Sequence, residues 1–177
     1  MSFPVFASGD VLNASDMNGV GLWLVKTQAV GSGVASVTVT GAFSADYDNY
    51  RIIYTSGTSS ATASLNLQLG STTTNYFNAT VFTVFATGGV AQTSNNGGSS
   101  FVYAGATDAT NGTHLTIDVF SPFLSKSTGY GGSFIVTDVA GSTGGLQKSN
   151  TSFTAFTLTP GSGTLTGGTI RVYGYLN

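Results

Sequence analysis

This 177-residue sequence has no cysteine, no glutamate and only one histidine. Without cysteine there is no disulfide framework, no thiolate zinc site and no thiol nucleophile. A chain of this length buries roughly 70% of its unfolded surface, so a single domain holds together without such staples. Charge is the second scarcity. Asp, Glu, Lys and Arg make up 7% of the residues, against about 25% in an ordinary soluble domain. The acids are all aspartate, at 10, 16, 46, 48, 108, 118 and 138, and Lys26, Arg51, Lys126, Lys148 and Arg171 are scattered. A net charge of −2 without a basic cluster argues against nucleic acid or an anionic membrane as partner. Residues 1–8 carry no basic n-region, and the apolar stretch around Gly21 to Val25 is too short to span a bilayer. The expectation is a protein made in a cytoplasm and not inserted in a membrane.

Ser, Thr, Asn and Gly must then supply the solvent-facing surface. A neutral surface of hydroxyls and amides repels neighbouring copies weakly, which suits a protein that packs against others. Disorder is not expected, because 41% hydrophobic and 12% aromatic residues are enough to drive collapse.

Helix formers are scarce, and period-2 alternation recurs along the chain. Val37 and Val39 share a face in residues 36–40, and Leu65, Leu67 and Leu69 alternate with Asn66 and Gln68. In residues 113–120, Leu115, Ile117 and Val119 oppose His114, Thr116 and Asp118; near the end, Ile170 and Val172 oppose Arg171, Tyr173 and Tyr175. Weaker strand signals cover 49–56, 80–86, 99–105, 133–139 and 151–159. Turn signals fall at 57–60, 70–75, 88–100, 108–112, 129–132, 141–145 and 160–163. Eight or nine short strands with glycine-rich punctuation predict an all-β antiparallel sandwich, with a jelly roll fitting the count best. The sandwich is expected over 26–177. Residues 1–25 read differently: Pro4 and Gly9 break the chain, and Asn13 or Ser15 is placed to cap one helical turn. Too short to fold alone, this segment reads as an attachment arm.

Catalytic chemistry finds little support. His114 alternates outward with Thr116 and Asp118, and no G-x-S-x-G elbow stands behind a Ser-His-Asp site. Asp46 and Asp48 sit where a turn enters a strand, a place where aspartate normally caps backbone N–H groups. As a calcium loop, Asp46, Asp48 and Asn49 would be followed by Tyr50 at a ligand position, with no acid to close the ring. Glycoside hydrolysis needs two carboxylates across a cleft, which this spacing does not suggest. No phosphate-binding glycine loop is present. The expectation is no enzyme, no metal and no cofactor. Aromatics flanked by Asn, Ser or Gly can stack on a sugar, and Tyr76, Phe77 and Tyr130, read as turn residues, are the candidates for receptor contact.

Residues 6–18 (FASGDVLNASDMN) resemble the F-x-x-G-x-V-L-T-A-x-x-x-N start common among tail and appendage proteins of tailed bacteriophages. The pieces 41–53 (GAFSADYDNYRII), 67–70 (LQLG), 111–114 (NGTH) and 168–175 (GTIRVYGY) are also similar to phage structural proteins. Asn13 stands where threonine is usual, which keeps a capping residue. The resemblance implies a virion component that assembles as a homotrimer with itself and with other virion proteins. Phe6, Asp10, Val11, Leu12, Asp16, Met17 and Asn18 would form the attachment arm. A tail fibre or tail-associated appendage, with host surface glycan as a possible contact, is the expected role. The competing readings are a capsid decoration protein and, more distantly, a carbohydrate-processing enzyme.

Overall fold

The computed structural model describes residues 8–9 and 21–175. The seven expected arm residues, from Phe6 to Asn18, lie outside them. The described chain forms strands and turns only. It opens with β1 (Leu22–Ala29), β2 (Val37–Thr40), β3 (Asn49–Ser59) and β4 (Ala63–Leu69). Next come β5 (Tyr76–Val84), β6 (Val90–Gly98), β7 (Phe101–Thr107) and β8 (Thr113–Phe120). Then follow β9 (Thr128–Val136), β10 (Val139–Gln147), β11 (Ala155–Pro160), β12 (Leu165–Thr166) and β13 (Thr169–Tyr175).

These strands build an antiparallel sandwich. The larger, nine-stranded sheet has the order β1-β13-β3-β8-β9-β10-β5-β6, with β12 alongside β3. The smaller sheet has the order β2-β11-β4-β7. Successive connections carry the chain back and forth between the two sheets, so neither can form without the other. The alternation legible in the sequence fixes which faces meet. Val37, Val39, Leu65, Leu67 and Leu69 of the small sheet are buried in one core with Ile52, Leu115, Ile117 and Val119 of the large one. Phe43, Tyr50 and Phe156 close one side of that core with ring centroids 4.9 and 5.8 Å apart.

Five stretches differ from the sequence expectation. Residues 57–60, expected as a turn, run largely within β3, because a bulge between Thr55 and Gly57 lets the strand bend and continue. Ser56 takes the left-handed conformation there (φ 62°). A side chain at Gly57 would overlap the Tyr54 hydroxyl, so glycine serves close packing at this point. Residues 129–132 and 141–145 lie inside β9 and β10, where a Cβ at Gly132, Gly141 or Gly145 would overlap a neighbouring strand. The stretch 88–100 contains β6, an edge strand (VAQTSNNGG) with polar residues on both faces and no apolar alternation to betray it. β1 begins at Leu22, inside the stretch read as the arm, and pairs with β13 over its length.

Over β5, β9 and β10 the core turns polar. Asn78 donates to the Val102 carbonyl (2.7 Å) and accepts from its N–H (3.1 Å), holding β7 as a backbone partner would. The Thr143 hydroxyl lies between Thr80 (2.8 Å) and Tyr130 (2.6 Å). Each of these groups is buried and bonded, which is what makes polar residues tolerable in a sheet interior.

Candidate interaction face

The aromatics expected to contact a receptor do not reach solvent together. Tyr76 is fully buried, its ring edge-on to Phe101 at 4.8 Å and its hydroxyl accepting from the Leu69 N–H at 2.8 Å. Tyr130 is also core, 4.0 Å from Phe101 between centroids. Burial pushes both phenols up to about 12. Neither can stack on a ligand, because both lie in strands whose inward face meets β7, not in turns. Phe77 points the other way and is half-buried, with the Lys148 ammonium 3.7 Å from its ring centroid.

The candidate catalytic residues are equally dispersed. His114 is exposed on β8 between Thr55 and Ile135, with no carboxylate bonded to it among the described residues. Asp46 accepts from the Ser44 hydroxyl at 2.8 Å in the turn before β3, and it is the Ser44 oxygen that accepts the Asp46 N–H at 3.3 Å. Asp118 is engaged by Arg51 through two bonds of 2.8 Å and also accepts from the Tyr175 hydroxyl. These bonds, Arg51 first, hold the Asp118 carboxyl below the usual range, and the Asp118 bond raises Arg51. No local signal marks this trio, since β3, β8 and β13 become neighbours only through the sheet. With side-chain exposures of 35% and 26%, solvent screening leaves the ion pair modest. An Arg51→Met and Asp118→Asn double-mutant cycle should return about 0.2–1 kcal/mol by urea unfolding. A value near 3 kcal/mol would mean the face is covered.

What is continuous on this molecule is a surface. Along each large-sheet strand, alternate residues face away from the core. The cross-strand registers place them in rows. One row holds Phe120, Gly129, Leu146 and Phe77. The next holds Asp118, Gly131, Gly144, Ala79 and Ser94. A third holds Ser133, Ser142, Val81 and Gln92, and a fourth His114, Ile135, Ala140, Thr83 and Val90. Of the nine large hydrophobic residues exposed among the described ones, seven lie on this face: Leu22, Leu24, Val81, Val90, Phe120, Ile135 and Leu146. Strands β5, β6, β9 and β10 contain no charged residue and no histidine. A hollow of about 440 Å³ runs over Ala140 and Ser142, with Val81 and Ile135 as its banks. Val81 separates it from a second hollow of about 280 Å³ over Ala79, Gln92 and Ser94. Over β5, β6, β9 and β10 this face combines exposed hydrophobic side chains with small polar ones and no charge, the character of an interaction surface. Of these residues the sequence singled out only Phe77 for contact, because outward-facing Gly, Ala and Ser look like any solvated strand until their neighbours are known.

Compared with protein-family models, curated proteins and solved structures, the chain matches none.

Proposed function

We propose that this protein is a non-enzymatic structural component of a tailed-phage virion, working in several copies as a homotrimer. Within the particle it is a tail fibre or tail-associated appendage, fixed by the arm that includes Val11, Leu12 and Met17. The observation that carries the assembly part is the outer face of β5, β6, β9 and β10, which exposes Val81, Val90, Ile135 and Leu146 and carries no charge. Burying such a face against protein is favourable by roughly 25 cal/mol per Å² of apolar area, and no desolvated charge on those four strands opposes it. The phage part rests on the resemblance of residues 6–18 to tail-protein starts. The order β2-β11-β4-β7 facing β3, β8, β9, β10, β5 and β6 supports a jelly-roll reading, with the β8-β9-β10 meander filling one strand position. The non-enzymatic part rests on the described aspartates and His114, which form caps, an ion pair and isolated surface groups. Binding through several weak contacts at once gives firm attachment without a deep pocket, because linked sites raise the effective concentration.

The test is to locate the chain in a reconstruction of particles whose genome encodes it. The expected density is several symmetric copies at the tail. Copies on the capsid lattice would move the assignment to head decoration, and absence from the particle would sink the virion reading. Incubating the purified protein with host envelope polysaccharide should release no shortened oligosaccharide; release abolished by Asp46→Asn or Asp48→Asn would overturn the non-enzymatic part.

A further inference from the structure

Glycine in the middle of a strand weakens it, so a strand glycine persists where something else requires it. Strands β9 and β10 hold six. The three that point inward are required by the domain itself. A Cβ would lie 2.6 Å from the Thr116 carbonyl at Gly132, 2.5 Å from the Phe134 ring at Gly141, and 2.3 Å from the Phe77 carbonyl at Gly145. The three that point outward are not. At Gly129, Gly131 and Gly144 the nearest atoms to such a Cβ are 3.5, 3.9 and 3.6 Å away, which is ordinary contact. None of the three has a positive φ. Alanine would fit at each, and nothing within the described chain explains its absence. A strand glycine without an internal reason marks a place where another backbone or side chain comes close.

We propose that a second copy of this chain lies against this face, its Val81 and Ile135 seated in the trough floored by Gly129, Gly131 and Gly144. This deepens the assembly reading above and rests on it. Three observations select a second copy as the occupant. The four strands that carry the trough are without charge, and Asp118, which borders Gly131 on β8, is paired with Arg51, so like faces approach with little repulsion and an anionic polymer finds no free cation on these strands. The ridges are the exposed hydrocarbon side chains of Val81 and Ile135, whereas sugar recognition needs converging donors and acceptors. The area also suffices. Four strands about 4.8 Å apart, each about nine residues long, give a face on the order of 550 Å², so a pair of copies buries about 1,100 Å², above the roughly 1,000 Å² that a specific interface needs. Ridge and trough are different residues on one face, so either two copies exchange ridges across a twofold axis or each copy's ridge enters the trough of the next. The second arrangement is the one a trimer needs, and it closes where each step turns the chain by a third of a circle.

The experiment compares the full chain with Gly131→Ala, Gly144→Ala and Ile135→Asp by analytical ultracentrifugation across concentrations. Dilute samples are also melted. The wild type is expected to assemble, and each variant to need at least a tenfold higher concentration to do so. The alanine variants should melt at the same temperature as the dilute wild type or higher, since alanine suits a strand better than glycine. Weakened assembly with an intact melt cannot then be a folding defect. Glycine variants that melt lower would show an internal role and remove the argument. Variants that all assemble like the wild type would put the interface elsewhere and leave the assembly reading standing. A wild type that stays monomeric throughout would remove the assembly reading and this inference together.

Discussion

Truncating Leu67 to alanine is expected to destabilise the domain by about 2–5 kcal/mol, measured as a fall in the urea midpoint at unchanged slope. Leu67 has no exposed surface and stands on β4 opposite Leu158 of β11 and Phe101 of β7. Its side chain points into the layer shared by the two sheets. Removing three carbons leaves a cavity that cannot collapse, because backbone ladders on both sides fix the neighbouring strands. The upper half of the range is the better expectation for a residue buried on every side. A loss under 1 kcal/mol would mean that the small sheet does not cover the large one at this point.

Replacing Asp108 with alanine should cost about 2–4 kcal/mol at neutral pH. Asp108 is 1% exposed and paired with no cation among the described residues, where its charge is held by hydrogen bonds. One carboxylate oxygen accepts the Thr110 and Asn111 N–H groups at 2.6 and 2.9 Å. The other accepts the Thr137 N–H at 2.5 Å and the Thr137 hydroxyl. The residue therefore ties the turn after β7 to the β9–β10 hairpin. Burial pushes its pKa up, but the four donors outweigh burial and bring it from 3.8 down to about 2. A carboxyl with a depressed folded pKa contributes stability that is fully present above its unfolded value and lost as pH falls through the folded one. Wild-type stability should thus decline between about pH 4 and pH 2, and the Asp108→Asn variant should be less stable at pH 7 yet show a shallower acid decline. An identical acid profile in both proteins would refute the assignment.

The strands with strict alternation were legible because their signal is local. Leu65, Leu67 and Leu69, or Leu115, Ile117 and Val119, state a buried face with no reference to the rest of the chain. β6 was not legible, since an edge strand that is polar on both faces has no period to read. The candidate receptor aromatics failed for a related reason. Tyr76 and Tyr130 have turn-like neighbours in sequence, but their burial depends on β7, more than twenty residues away in either direction.

By itself the sequence determined the all-β antiparallel class, the inward residues of the alternating strands and the scarcity of charge, since each follows from residue type and period 2. Tertiary structure decided the order of strands, the pairing of Arg51 with Asp118 and Tyr175, and the use made of glycine. The physical reason is that glycine answers two demands, a backbone turn or a neighbour's close approach. At residues 57, 132, 141 and 145 the second demand comes from atoms that only folding brings near. The same comparison isolates Gly129, Gly131 and Gly144, where folding brings nothing near and the face stands open.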